Sequence, residues 1–121
     1  MKKILFLIII SFAINATELG MVKIITMDDD TQIYLDVNTI DNNGTYIQVW
    51  GQLIYREPKD GSQSIRFKTE IDCQNKSDRI IFLEGFSEKA DRTFASFVEE
   101  PKHNKTQPGT NGRMIIDYVC N

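Results

Sequence analysis

Two cysteines constrain this chain more than any other feature. Cys73 lies mid-chain, and Cys120 is the next-to-last of 121 residues. In an exported protein the pair allows one disulfide, Cys73–Cys120. Closing a loop of this length is worth about 4 kcal/mol in the chain-entropy model. That is a large share of the roughly 5–15 kcal/mol that holds an ordinary domain together. A redox pair usually sits close in sequence, as Cys-x-x-Cys. This pair does not, so it reads as a structural staple that ties the chain's end to its middle.

The oxidising compartment is itself an expectation from the first residues. "MKKILFLIIISFAINA" has Lys2 and Lys3, an apolar run from Ile4, and a small residue at Ala16. This is the layout of a secretory signal peptide, residues 1–16, with cleavage before Thr17. The run is shorter than the roughly 20 residues of a spanning helix, so no transmembrane anchor is expected after cleavage. No cysteine follows it to take a lipid. A periplasmic or secreted protein is therefore expected, and the short lysine-led signal suits a bacterial source. Residues 17–121 then form one domain. Losing Lys2 and Lys3 from 14 Lys and Arg leaves 12 against 17 Asp and Glu, a net charge of −5. That balance argues against a nucleic-acid partner.

The rest of the chain reads mostly as strands. "SQSIRFKTEIDC" alternates most clearly: Ile65, Phe67, Thr69, Ile71 and Cys73 share one face, and Arg66, Lys68, Glu70 and Asp72 the other. This points Cys73 inward and leaves the charged face wet. "GMVKIITM", "TQIYLDV", "TYIQVWGQLIYRE", "DRIIFLEGFSE" and "RTFASFVEE" supply the other strands. Asp28–Asp30, "NTIDNNG", "PKDG" and "KAD" are expected turns. Gly51 inside a strand suggests a bulge or a close backbone approach. "PKHNKTQPG" reads as a surface loop. In "TNGRMIIDYVCN", Thr110 or Asn111 can cap a helix whose core face is Met114, Ile115, Tyr118 and Val119. The predicted fold is α+β: a single antiparallel sheet of about six strands, with a C-terminal helix packed on one face and tied by Cys73–Cys120.

Little in the chain suggests chemistry. His103, the single histidine, has no marked nucleophile or acid for a triad and reads as a solvated loop residue. No Gly-rich phosphate loop or nucleophile elbow occurs, so no catalytic residue, cofactor or metal is expected. Asp28–Asp30, with Asp36 and Asp41, has oxygen ligands suited to calcium, but the spacing does not fit an EF-hand. A solvated turn is the better reading. The sequons at Asn43, Asn75 and Asn104 read as chance matches. Most of the aromatics are expected in the core. Tyr46 and Trp50 lie opposite Ile47 and Val49, so apolar bulk occurs on both faces of that strand. It is either covered or available for binding; the expectation is that it is covered.

Several segments together resemble one family. "IYLDVNTI" precedes a long strand containing "VW"; "SIRFKTEIDCQNKSDRI" follows a turn; a proline-bearing loop leads to a short helix ending "YVC". From about Ile33 to Cys120 this is similar to the surface-adhesin protein E family of small exported bacterial proteins. The resemblance implies an antiparallel sheet with a helix held to it by the disulfide, and a non-enzymatic, adhesin-like protein. Its partner would be a host extracellular or periplasmic protein. The alternative is a periplasmic small-ligand-binding or inhibitor-type module using the apolar sheet face.

Overall fold

The computed structural model describes residues 20–99 and 102–121. The expected signal peptide and its cleavage point lie outside them. The strands are β1 (Met21–Thr26), β2 (Gln32–Asn42), β3 (Ile47–Lys59), β4 (Ser62–Asp72), β5 (Ser77–Phe86), β6 (Arg92–Phe97) and β7 (Asn104–Lys105); one helix, α1 (Asn111–Val119), ends the chain. β1 to β6 pair in sequence order into an antiparallel sheet, and β7 adds to β5. The α+β architecture is the one the sequence predicts.

Turn chemistry sets the hairpins, though at different residues than expected in two places. Asp28–Asp30 does turn β1 into β2, and Asp30 and Asp29 pair with Arg56 and Lys59. "NTIDNNG" is mostly strand: β2 continues to Asn42 through an irregularity after Asp36. There the Thr39 hydroxyl donates to the Asp36 carbonyl at 2.7 Å and accepts from Trp50 N–H at 3.0 Å, standing in for a ladder bond. "PKDG" is also a correction. Pro58 belongs to β3, and the turn is Asp60-Gly61 alone, between the paired Lys59 and Ser62. Both turn residues have positive φ, 50° and 82°. This left-handed pair matches the twist of the flanking strands, and Gly suits it best.

The sheet's inward face carries Leu35, Val49 and Ile71, all fully enclosed, with Ile33 and Phe67 beside them. Gly51 stands in register between Leu35 and Phe67. A Cβ there would collide with the Phe67 ring and come within 2.8 Å of the Tyr34 carbonyl. The close approach anticipated for this glycine is therefore real. Gly51→Ala is expected to destabilise by about 1–3 kcal/mol through overpacking; urea unfolding with an unchanged midpoint would refute that.

Helix α1 lies on this inward face. The Thr110 hydroxyl caps it by accepting Arg113 N–H, and the Arg113 guanidinium reaches back to the Thr106 hydroxyl and carbonyl at 2.9 and 2.8 Å. Cys120 is joined to Cys73 with their Cα atoms 5.7 Å apart. The buried face of the helix differs from the expected one. Ile115 and Ile116 are buried and Val119 packs on the core, while Met114 and Tyr118 are 45% and 43% exposed. Gly112, Ile115, Ile116 and Val119 form the i, i+3, i+4, i+7 stripe. Gly112 lets the helix meet Asp78 and Thr106 of the neighbouring segments closely.

Candidate functional site: the helix-free face of the sheet

Among the described residues, no helix lies on the other face of the sheet. Period-2 alternation and the strand register place its side chains in rows. One row crosses four strands: Trp50, Lys68, Phe82 and Phe97. The Phe82 ring lies 5.7 Å from Trp50, edge-on, and 4.8 Å from Phe97. These separations fall within the range of favourable ring pairs. Phe97 is nevertheless 79% exposed. Tyr46 and Trp50, expected to be covered, are half-buried, whereas Phe97 and Phe94, expected with most aromatics in the core, are exposed.

The next row, Gln52, Arg66, Glu84 and Ala95, brings charge to the aromatics. The Arg66 guanidinium stacks 3.8 Å over the Trp50 ring, and Lys68 Nζ sits 5.6 Å from it. Glu84 receives Arg66 at 3.2 Å and Arg92 at 3.6 Å, which fixes the first guanidinium in place. Trp50, Arg66, Lys68, Phe82, Glu84 and Phe97 line a groove of about 320 Å³. An apolar floor with fixed cations at its rim suits a protein surface presenting apolar and acidic groups.

The row on the other side is polar, and its central Glu70 is buried, against the expectation of a wet charged face. Glu70 is 6% exposed. Its two oxygens accept from Gln48 Nε2 at 2.8 Å and Arg79 Nε at 2.9 Å. Burial pushes this carboxyl's pKa up. The bonds from Gln48 and Arg79, with the Arg79 and His103 charges, outweigh that and hold it below the usual glutamate value.

His103 belongs to this cluster, which corrects its reading as a solvated loop residue. Its ring stacks on Tyr46 at 4.5 Å, its side chain is 15% exposed, and Nε2 lies 3.1 Å from Glu70 Oε1. The contact is not aligned as a hydrogen bond. "PKHNKTQPG" is likewise more than a surface connection. β7 pairs with Ser77 and Asp78 of β5, and Thr106 donates both its backbone N–H and its hydroxyl to the Lys76 carbonyl. This pins the connection and carries His103 onto the sheet. No signal in the sequence marked this, because Tyr46 and Glu70 are reached only through the fold.

Among the described residues no group of three or more His, Cys, Asp or Glu side chains could hold a metal ion. Cys73 and Cys120 are consumed in the disulfide. The face thus combines exposed rings, ion-paired guanidinium groups and the buried Glu70 carboxylate.

No curated protein matches the chain. Three structures of Haemophilus influenzae protein E are similar in fold. Crystal form II is 15% identical with a TM-score of 0.58, over 84% of this chain and 87% of that one. The selenomethionine form is also 15% identical, with a TM-score of 0.58 over 84% and 85%. The protein from non-typeable Haemophilus influenzae is 17% identical, with a TM-score of 0.54 over 84% and 75%. The family model for surface-adhesin protein E matches residues 21–121, nearly the whole described sheet and its helix, and the chain therefore belongs to the surface-adhesin protein E family.

Proposed function

We propose that the protein is an exported, non-enzymatic binding protein that uses the helix-free sheet face to hold a protein partner. The domain is residues 17–121, released from a signal peptide at residues 1–16, and the partner is a host extracellular or periplasmic protein. The observation that carries the reading is the exposed end of the aromatic row: a large ring, Phe97, 79% exposed beside Phe82 and a cation-stacked Trp50. Aromatic and arginine side chains dominate interface energetics. Membership of an adhesin family supports the same reading. Among the described residues no helix is long and apolar enough to cross a membrane.

The test is solid-phase binding of the purified protein to host matrix proteins and to periplasmic proteins, wild type against Phe97→Ala and Trp50→Ala. Phe97→Ala is expected to weaken binding at least tenfold, or about 1.4 kcal/mol. Its stability should stay within about 0.5 kcal/mol of wild type, because the ring is so exposed. Partner binding unaffected by both substitutions would place the contact elsewhere.

A further inference from the structure

The inward face of β5 contains a charge. Asp78 stands opposite Ile71 in register, at a position whose partner is fully enclosed. It lines one end of a cleft of about 270 Å³ between α1 and the sheet, together with Asn111 and Gly112. Apart from Thr69, the rest of the cleft is apolar, walled by Leu53, Ile65, Phe67, Ile80, Leu83 and Ile115 among others. A Cβ on Gly112 would lie 3.0 Å from Asp78 Oδ2, so the carboxyl group stands directly against the helix backbone.

Among the described residues, no hydrogen bond or ion pair reaches the Asp78 side chain. Burial raises its pKa above the usual aspartate value, and the nearby His103 opposes this only in part. Asp78 is half-buried, and a carboxylate partly withdrawn from water is normally paired. This one faces open, apolar space. It complements a ligand that brings its own positive hydrogen-bond donor and an apolar body.

We propose that this cleft binds a small primary amine, its ammonium group on Asp78 and its short apolar tail among Leu53, Ile65 and Leu83. The cleft falls just under the roughly 300–1,000 Å³ of sites for drug-sized ligands, so a small ligand is implied. An ammonium group offers three donors to the carboxylate and its surroundings. The amine can be free or the N-terminus of a peptide, since the recognised chemistry is the same. This site is on the face opposite the aromatic row, so its failure would leave the partner-binding reading untouched.

The experiment is an NMR titration of the oxidised protein at pH 7, following the methyl groups of Ile80, Leu83 and Ile115. The probes are isopentylamine, isopentanol, isovalerate and leucinamide. Isopentylamine is expected to shift these methyls and bind at least tenfold more tightly than isopentanol, with isovalerate weakest. Asp78→Asn should erase the preference for the amine while still taking the alcohol. That variant removes a partly desolvated, unpartnered charge and should melt no lower than wild type. Leu83→Phe, which fills the cleft and keeps Asp78, should abolish binding of both. Tighter binding of leucinamide than of isopentylamine assigns the source to a peptide N-terminus, and the reverse to a free amine; either supports the proposal. Equal affinity for amine and alcohol, an amine preference that survives in Asp78→Asn, or no methyl shift at millimolar amine would overturn it.

Discussion

Cys120→Ser lowers the stability of this protein by about 4 kcal/mol and frees the C-terminal helix. The magnitude follows from the 47-residue separation of the two cysteines and the loop-closure entropy they remove from the unfolded chain. The helix has little else to hold it. It has nine residues, too few to be stable alone in water. Its core contribution is Ile115, Ile116 and Val119, since Met114 and Tyr118 are largely exposed. Burying three such side chains stabilises by roughly 1.5–3 kcal/mol each, as an upper estimate. Ordering each backbone residue costs roughly 1–2 kcal/mol. Three such side chains do not offset the ordering of nine residues, so the covalent tie decides whether the helix stays docked. The measurement is thermal unfolding with and without reductant, joined to hydrogen exchange. A fall in Tm of about 15 °C or more is expected for a domain of this size, with protection lost over residues 111–119. Unchanged protection there after reduction would mean that packing alone holds the helix. Undocking would also open the floor of the Asp78 cleft, while the aromatic row on the other face would keep its geometry.

The sheet and the staple were legible in the sequence because each rests on local pattern. β4 alternates without interruption, so its inward Ile71, and Cys73 just beyond its end, could be read by counting. Where the counting phase is ambiguous, the sequence misled. Met114, Ile115, Ile116, Tyr118 and Val119 fit two helical stripes about equally well. The close approach at Gly112, with Thr106 and Asp78 against it, selects the stripe that turns Met114 and Tyr118 outward. In β5 the register irregularity at Lys68/Thr69 leaves Ile81 as an extra residue. Alternation counted back from Leu83 would have put Arg79 inward, whereas Asp78 takes that place. Alternation also says which residues share a face, but not whether anything covers it. That is why Trp50, Phe82 and Phe97 were recognisable as aromatics and not as a surface. His103 was missed for a different reason: β7 is two residues long, too short for any pattern, and it alone brings the ring to Tyr46 and Glu70.

Glu70→Ala is expected to cost about 2–3 kcal/mol at neutral pH. Removing one member of a buried, hydrogen-bonded ion pair typically costs about 3–5 kcal/mol. Arg79 is 29% exposed on its side chain, so water recovers part of that loss and the lower figure applies. Gln48 loses its acceptor and His103 its neighbouring carboxylate as well. The pH dependence has a definite sign. The folded carboxyl has a pKa below its ordinary value of 4.5, so the unfolded chain binds the proton more readily. The Glu70 contribution is therefore complete above pH 4.5 and is lost as pH falls through the lowered folded value. Urea unfolding of wild type and Glu70→Gln, from pH 7 down to pH 3, separates this group from Asp29 and Asp72, whose carboxyl pKa values are also lowered. The wild-type advantage should shrink with acidification, while both proteins keep the slope due to the two aspartates. An advantage that stays constant to pH 3 would show that the Glu70 charge does not carry the stabilisation. Glu70 is also next to Lys68 on β4, on the same face as the aromatic row. If the charge cluster orders that end of the face, Glu70→Gln weakens partner binding without touching Phe97, and it does so more at pH 7 than at pH 4.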